Sequence, residues 1–256
     1  MKPLRSIRSS EIATLKLALP LCSAPKTINR LPSSFLHAKE RSFIAPGSRS
    51  TIALIKFTPL ISVADLISSD FKPLAFSAIN NNDKVGVIFF TDKVEQFIPP
   101  KKGKSHILRI IREVLAFEPT GKGTDISGAL EYFSAVIKKR SICFILSDFM
   151  CQEFERPLKI ASKKHDLVAL RIHDKREDIL PNVGLVPLQD AESEQMIFVD
   201  TSSKKIQKNF AKTRLAKTEA LKKLLPASGV DLIDITTGTD YVKPLINFFK
   251  TRGRRR

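Results

Sequence analysis

The stretch Ser141-Ile142-Cys143-Phe144-Ile145-Leu146-Ser147-Asp148 decides the fold that this sequence predicts. Its apolar run is short and unbroken, and it stops at a carboxylate. Such a run is typical of a parallel strand that is buried on both faces of a sheet. Asp148 would then stand at the carboxyl edge of the sheet, where open α/β sheets usually bind their ligands. A carboxylate at that place needs a cation or hydrogen-bond donors, so Asp148 is a candidate binding residue.

A second short piece, Gly123-Thr124-Asp125-Ile126, marks a helix start ahead of that strand. In the simplest interpretation Thr124 caps the helix of residues 125–139, because Thr is common at that position. The alternative is that its hydroxyl reaches the same sheet edge as Asp148. A hydroxyl and a carboxylate on one edge would form half of a metal site.

The flanking segments alternate between strand and helix patterns. We expect strands at 84–90, 94–98, 141–147, 166–171 and 230–235, a hairpin within 184–200, and helices at 106–117, 125–139, 153–164, 203–225 and 241–250. Pro99-Pro100 would end the second strand, which we place at an edge. Strands that alternate with helices indicate an α/β fold with a doubly wound, mostly parallel sheet.

Residues 1–73 differ in composition from the rest of the chain. They hold seven of the fifteen prolines, twelve serines and only four acids. We therefore expect an irregular or divergent N-terminal region over 1–73, an α/β domain over 74–250 and a basic tail over 251–256. One hypothesis for the abrupt change is a disruption of the coding frame upstream of Leu74.

Composition excludes several classes of protein. No apolar run approaches the ~18 residues of a membrane-spanning helix, and the three cysteines have neither disulfide nor zinc spacing. These features favour a cytoplasmic protein. The sequence also lacks a phosphate-binding glycine loop, a serine nucleophile elbow and paired zinc-ligand histidines, so we expect no enzymatic activity.

The charge of the chain leaves one alternative open. Its net charge is +17, with basic residues concentrated in the predicted helix at 204–223 and in the tail at 252–256. A basic surface of this kind is found on proteins that bind nucleic acids or other anionic partners. No aromatic residues interleave with the basic ones, as a stacking platform for single strands would require.

Several long phrases resemble the bacterial "domain of unknown function 58" family, whose members carry a von Willebrand factor A-like domain. The phrases are LAFSAINNNDKVGVIFFTD at 74–92, FIPPKKGKSHILRIIRE at 97–113, FEPTGKGTDISGAL at 117–130, SICFILSDF at 141–149, KKHDLVALRIHDKRE at 163–177 and LQDAESEQMIFVDTSS at 188–203. The resemblance implies a von Willebrand A-like, Rossmann-like three-layer fold across about residues 74–250.

The same resemblance implies a metal-ion-dependent adhesion site for Mg²⁺. The family pattern is Asp-x-Ser-x-Ser after the first strand, then a Thr in a later loop, then an Asp after a further strand. Thr124 and Asp148 match the second and third parts. For the first part the chain reads Pro46-Gly47-Ser48-Arg49-Ser50, with Ser48 and Ser50 at the expected spacing and Pro in place of the Asp. Asp65-Leu66-Ile67-Ser68-Ser69 is the other candidate, with a spacing that differs by one residue.

The resemblance therefore implies a protein-interaction domain with a degenerate site, for which weak Mg²⁺ binding is expected. The implied partner is a MoxR-type AAA+ ATPase, and the implied role lies in the assembly or maturation of other proteins. Nucleic-acid binding through residues 204–223 and the arginine-rich tail is the alternative.

Overall fold

A six-stranded sheet organises the domain. The computed structural model describes residues 50–56 as backbone, and residues 83–121, 123–151, 153–189, 196–237, 239, 244–245, 247–248 and 251–252. The sheet strands are β1 (Ser50–Lys56), β2 (Lys84–Phe90), β3 (Val94–Lys101), β4 (Ser141–Ser147), β5 (Asp166–His173) and β8 (Asp231–Thr236). They lie in the order β3-β2-β1-β4-β5-β8.

Four helices and a small hairpin complete the described elements. The helices are α1 (Lys104–Ala116), α2 (Ile126–Val136), α3 (Glu155–Lys164) and α4 (Lys204–Ala227), and a short 3₁₀ turn spans Lys175–Glu177. The hairpin consists of β6 (Leu185–Gln189) and β7 (Met196–Asp200), which pair antiparallel as a separate two-stranded sheet.

The sheet is parallel except at one edge. β1 pairs in parallel with β2 and β4, β4 with β5, and β5 with β8, whereas β3 runs antiparallel to β2. Helices cover both faces, so the predicted α/β, doubly wound, mostly parallel fold is confirmed.

Both faces of the sheet carry an apolar core. Along β4, all seven residues are buried, which explains why its sequence shows no alternation of apolar and polar positions. Phe144 and Leu146 pack in the core that includes α1, whereas Cys143 and Ile145 pack in the core of α2, α3 and α4. Each fully buried large side chain contributes about 1.5–3 kcal/mol relative to an exposed one.

The structure corrects the predicted boundary at residue 73. Ser50–Lys56 forms β1, which lies between β2 and β4 at the centre of the sheet. The expectation of an irregular region is therefore wrong for this segment. Its apolar run, Ile52-Ala53-Leu54-Ile55, resembles that of β4, but it is shorter, no carboxylate ends it, and the surrounding composition is rich in proline and serine. Residues 1–49 and 57–82 lie outside the described residues.

Two further boundaries differ from the predicted ones. β3 continues through Pro99 and Pro100 to Lys101, because the strand lies at the sheet edge and its register shifts there between the pairs at Val85 and Val87. Arg252, assigned to the basic tail, hydrogen-bonds Asp166 and lies 3.5 Å from the carboxylate of Asp231. The domain therefore includes the first residues of the predicted tail.

In the part of the chain that the structure describes, no helix combines the length and the apolar character that crossing a bilayer would need.

Candidate metal centre at the carboxyl edge of the sheet

Asp148 directly follows β4 and is only 5% exposed. Its Oδ1 atom lies 3.4 Å from both the Ser147 hydroxyl and the Met150 backbone nitrogen. Phe149 adopts a left-handed backbone with φ of 54°, and its N–H donates to the Ser147 hydroxyl at 3.1 Å. The chain thus turns sharply after the strand and leaves the Asp148 carboxylate at the sheet edge, as predicted.

Thr124 lies in the loop that leads into α2, but it does not cap that helix. The cap is Asp125, whose side chain accepts a hydrogen bond from the Gly128 N–H at 3.0 Å. The Asp125 N–H in turn donates to the Thr91 carbonyl at 2.7 Å, immediately after β2. The cap interpretation of Thr124 is therefore wrong, and the residue stands at the carboxyl end of β2.

The two loops are joined at the same edge. The Ser127 hydroxyl, in the first turn of α2, donates to the Glu153 carbonyl at 2.9 Å, in the loop that follows Asp148. Since β1 lies between β2 and β4, its carboxyl end at Lys56 separates the strand ends that carry these loops. The strand order therefore places the Thr124 loop on one side of the carboxyl end of β1 and the Asp148 loop on the other.

Ser50, one of the two serines proposed for the first ligand loop, is not at this edge. Ser50 is the first residue of β1 and is in register with Ser141, the first residue of β4. Asp148 lies seven positions after Ser141, a span of about 23 Å at ~3.3 Å per residue. Ser50 therefore cannot share a cation with Asp148. Ser48 lies outside the described residues, as does the alternative segment at Asp65–Ser69.

A cluster that the sequence did not reveal anchors the Thr124 loop. Glu95 accepts hydrogen bonds from the Gly121 N–H at 2.7 Å, the Thr120 N–H at 3.2 Å and the Thr91 hydroxyl at 2.8 Å, all through Oε1. Its Oε2 accepts from the Thr120 hydroxyl at 2.6 Å. Although desolvation opposes the shift, these hydrogen bonds lower the pKa of Glu95 to about 2.

Gly121 is required by the close approach of this loop to the end of β2. A Cβ atom at this position would lie 1.8 Å from Asp92 Oδ1 and 2.3 Å from Thr91 Oγ1. No side chain fits in that space without displacing one of the two neighbours. The Gly-rich phrase before Thr124, which lacks the spacing of a phosphate loop, thus has a packing explanation.

Basic side chains lie beside the same edge on the α4 side. Arg171, buried at the end of β5, is 3.5 Å from the Asp234 carboxylate, which also lies 3.3 Å from Lys222. Arg214 pairs with Glu177 at 2.8 Å, and its Nη1 is 3.4 Å from the sulfur of Met150, next to Asp148. The field around the candidate site is therefore not dominated by carboxylates.

The ligand atoms that the residues at this edge offer are oxygens, which suit a hard divalent cation. Thr124 offers a hydroxyl and Asp148 a carboxylate, and oxygen ligands are those that Mg²⁺ prefers. Among the described residues, no group of three or more His, Cys, Asp or Glu side chains could hold a metal ion. If Mg²⁺ binds, Thr124 and Asp148 are the described residues that would hold it, with water as a further ligand.

The fold and this edge define the class of protein: an α/β domain with an oxygen-rich candidate cation site between two βα loops. The chain belongs to the family described as "Protein of unknown function DUF58", whose model matches residues 64–220. The predicted family is thereby confirmed, and the match begins ten residues before the predicted boundary at Leu74.

Curated relatives come from mycobacteria. The chain is 23% identical over 193 residues to an uncharacterised protein of Mycobacterium bovis, a match that covers 74% of this chain and 61% of that protein. It is 25% identical over 160 residues to an uncharacterised protein of Mycobacterium avium, covering 61% of this chain and 94% of the relative. The chain thus spans about three fifths of the length of the Mycobacterium bovis relative.

Solved structures with a similar backbone include a conserved hypothetical protein, BatB, from Bacteroides thetaiotaomicron. It is 14% identical, with a TM-score of 0.49, and the match covers 82% of this chain and 100% of that one. Another is proximal thread matrix protein 1 from the mussel byssus, with a zinc-occupied metal-ion-dependent adhesion site motif. It is 14% identical with a TM-score of 0.44, covering 80% of this chain and 46% of that one.

Proposed function

We propose that this chain is a non-enzymatic protein-interaction domain that binds a divalent cation, Mg²⁺ in the first place, weakly at the carboxyl edge of its sheet. One observation carries the proposal. The Thr124 loop and the Asp148 loop lie on either side of the carboxyl end of β1, joined by the hydrogen bond from Ser127 to Glu153. A cation there would leave a coordination position for a carboxylate of a partner protein.

The expected weakness of binding follows from the sequence after β1. Lys56 is followed by Phe57-Thr58-Pro59-Leu60-Ile61-Ser62, and no carboxylate occurs before Asp65. In the family pattern an Asp stands directly after this strand. With Asp148 as the one carboxylate among the proposed described ligands, we expect a dissociation constant on the order of 0.1–1 mM, in the range of weak oxygen-ligand sites.

Calorimetry with Mg²⁺ tests the cation site. Wild-type protein should bind with the weak affinity given above, and Asp148→Ala should abolish the heat of binding. Asp200→Ala is the matched control, because it removes an exposed carboxylate from the distant β6–β7 hairpin. Equal Mg²⁺ binding by Asp148→Ala and wild type would refute the site. Micromolar Mg²⁺ affinity of the wild type would refute the expectation that the site is degenerate and weak.

The partner is proposed from the family resemblance alone: a MoxR-type AAA+ ATPase, in the cytoplasm, with a role in protein assembly or maturation. A tagged full-length chain should capture such an ATPase from a lysate of its own source, as identified by mass spectrometry. Capture should fall with Asp148→Ala and persist with Asp200→Ala. Reproducible capture of other proteins without an ATPase would contradict this partner.

A second candidate function rests on α4. At 100° per residue, its exposed lysines fall within an arc of about 100°, opposite the buried Phe210, Leu221 and Leu225. The exposed lysines are Lys204, Lys205, Lys208, Lys212, Lys222 and Lys223. This face, basic except for the exposed Leu215 and Glu219, suits the phosphates of a duplex rather than the stacking of single strands, since Phe210 is the one aromatic residue of α4 and is buried.

Salt dependence tests the second candidate. A 30-base-pair DNA duplex should be retarded in a gel at ~50 mM salt, with affinity falling steeply as salt rises. Replacing Lys204, Lys208 and Lys212 together by Ala should reduce the slope of log K against log salt by about 2 to 3. Ala at Lys138, Lys139 and Lys163, exposed lysines outside α4, is the matched control. No retardation at ~50 mM salt would remove this candidate.

A further inference from the structure

The loop that carries Thr124 is fixed from two sides. On the α2 side, the Asp125 N–H donates to the Thr91 carbonyl at 2.7 Å. On the other side, Glu95 is the acceptor for the backbone N–H groups of Thr120 and Gly121 and for the Thr120 hydroxyl. Both anchors belong to the β2–β3 hairpin, which is otherwise remote in sequence from the loop.

Glu95 is the hydrogen-bond acceptor that joins the loop to β3. It lies 25 and 26 positions from Thr120 and Gly121 in the sequence, at the start of the edge strand β3. Its two oxygens accept from four donors, and a carboxylate binds backbone N–H groups about twice as strongly as a neutral acceptor does. Glu95 thus ties the chain before Thr124 to the β2–β3 hairpin.

The fit of the backbone supports the same role. A Cβ on Gly121 would displace the side chain of Thr91 or Asp92, and a Cβ on Gly123 would lie 3.2 Å from Asp92 Cβ. Phe117, at the start of the loop, stacks on Phe89 of β2 with ring centroids 4.7 Å apart. The loop therefore lies against β2 from Phe117 onward, and Glu95 holds its last turn before Thr124.

We propose that Glu95 is the positioning residue of the cation site, which fixes the Thr124 hydroxyl at the sheet edge through its hydrogen bonds to Thr120 and Gly121. The part of this inference that concerns the cation rests on the proposed function. The part that concerns the loop rests only on the hydrogen bonds of Glu95. Groups that orient metal ligands in this way typically change metal affinity by 10–100-fold when they are removed.

The first test measures the loop without any metal. In the full-length chain, Glu95→Ala should speed hydrogen exchange at the Thr120 and Gly121 amides about tenfold, as expected from the loss of a hydrogen bond to a charged acceptor. Glu95→Gln, which keeps the shape of the side chain and one carbonyl acceptor, should have a smaller effect. The control is Glu113→Ala, which removes the same charge from a partly exposed acid of α1 that pairs with Arg109 at 3.6 Å.

The second test measures the cation, with Mn²⁺ as the probe and electron paramagnetic resonance as the readout. Glu95→Ala should raise the Mn²⁺ dissociation constant about tenfold, Glu95→Gln should raise it less, and Glu113→Ala should leave it unchanged. Unfolding temperatures of the three variants show which of them are folded. Glu95→Gln, the most conservative change, keeps the test valid if Glu95→Ala fails to fold.

The outcomes separate the two proposals. If wild-type protein binds no Mn²⁺, the cation site fails, and the exchange rates alone decide whether Glu95 holds the loop. If Mn²⁺ binds but both Glu95 variants match Glu113→Ala in affinity, Glu95 is not a positioning residue. Exchange at Gly121 that is the same in the Glu95 and Glu113 variants would overturn the inference in either case.

Discussion

At the scale of single residues, His165 is a buried titratable group apart from the candidate site. Its side chain is 2% exposed, and its ring centroid lies 4.5 Å from that of Phe133. Neither ring nitrogen has a hydrogen-bond partner among the described residues. Burial, with a smaller effect of the neighbouring Lys164, lowers the pKa of His165 to about 4. The folded protein therefore holds this imidazole neutral.

This burial predicts a loss of stability in mild acid. The unfolded chain takes up the proton near pH 6.5 and the folded chain only near pH 4, so above about pH 6.5 the imidazole is neutral in both states and costs no stability. As the pH falls from about 6.5 to 4, the free energy of unfolding decreases by up to about 3 kcal/mol. Urea unfolding at pH 7.5 and pH 4.5 should show a smaller decrease for His165→Leu than for wild type. An equal decrease in both proteins would contradict this assignment.

The positions of single residues also decide which of the predicted ligands can belong to the candidate site. Thr124 and Asp148, both proposed from the sequence, stand at the carboxyl edge of the sheet, whereas Ser50 stands at the opposite end of β1. Spacing along the chain suggested Ser50, but spacing does not determine which end of a strand a residue occupies. The register of β1 against β4 decided it.

At the scale of elements, the β6–β7 hairpin has one buried and one exposed face, because successive residues of a strand point to opposite sides. Leu188 and Val199 pack against Phe210 of α4, whereas Leu185 and Phe198 are 68% and 63% exposed. The inner residues form a small core of their own, apart from the two cores of the main sheet. We expect the hairpin to depend on this core.

Two leucines of β6 allow a matched comparison. Leu188→Ala should lower the free energy of unfolding by about 2–3 kcal/mol, since a buried side chain is removed. Leu185→Ala should change it by less than about 0.5 kcal/mol, since the side chain is exposed. Denaturant titration of both variants measures the difference. Similar losses at the two positions would show that the hairpin does not pack on α4 as described.

At the scale of the whole molecule, β1 is the element on which the sheet depends. It pairs with β2 on one side and β4 on the other, so its removal would divide the sheet into two parts. Both parts would expose unpaired strand edges next to apolar cores. The domain therefore cannot begin at Leu74, where the composition changes.

Truncation tests this dependence. A chain of residues 74–256 should not unfold cooperatively and should aggregate, whereas a chain that begins at residue 45 and keeps β1 should retain a cooperative transition. Circular dichroism during thermal unfolding measures both. A sharp transition in the 74–256 chain, at the temperature of the full-length protein, would show that β1 is dispensable.

By itself, the amino-acid sequence determined the α/β class, the family and most elements from β2 to β8, because apolar runs and helical periods are local properties. It also indicated that Thr124 and Asp148 stand at the carboxyl edge of the sheet, because one follows a glycine-rich turn and the other ends an apolar strand. The tertiary structure alone decided the place of β1, the end of the sheet at which Ser50 lies and the hydrogen bonds of Glu95.

The reason is that these features depend on contacts between distant parts of the chain. Glu95 meets Thr120 and Gly121 across 25 and 26 positions, and β1 gains its place only by pairing with β2 and β4. A seven-residue strand and a single glutamate carry no sequence pattern that reports such pairings. Only the folded sheet, which sets register and brings the loops to one edge, determines them.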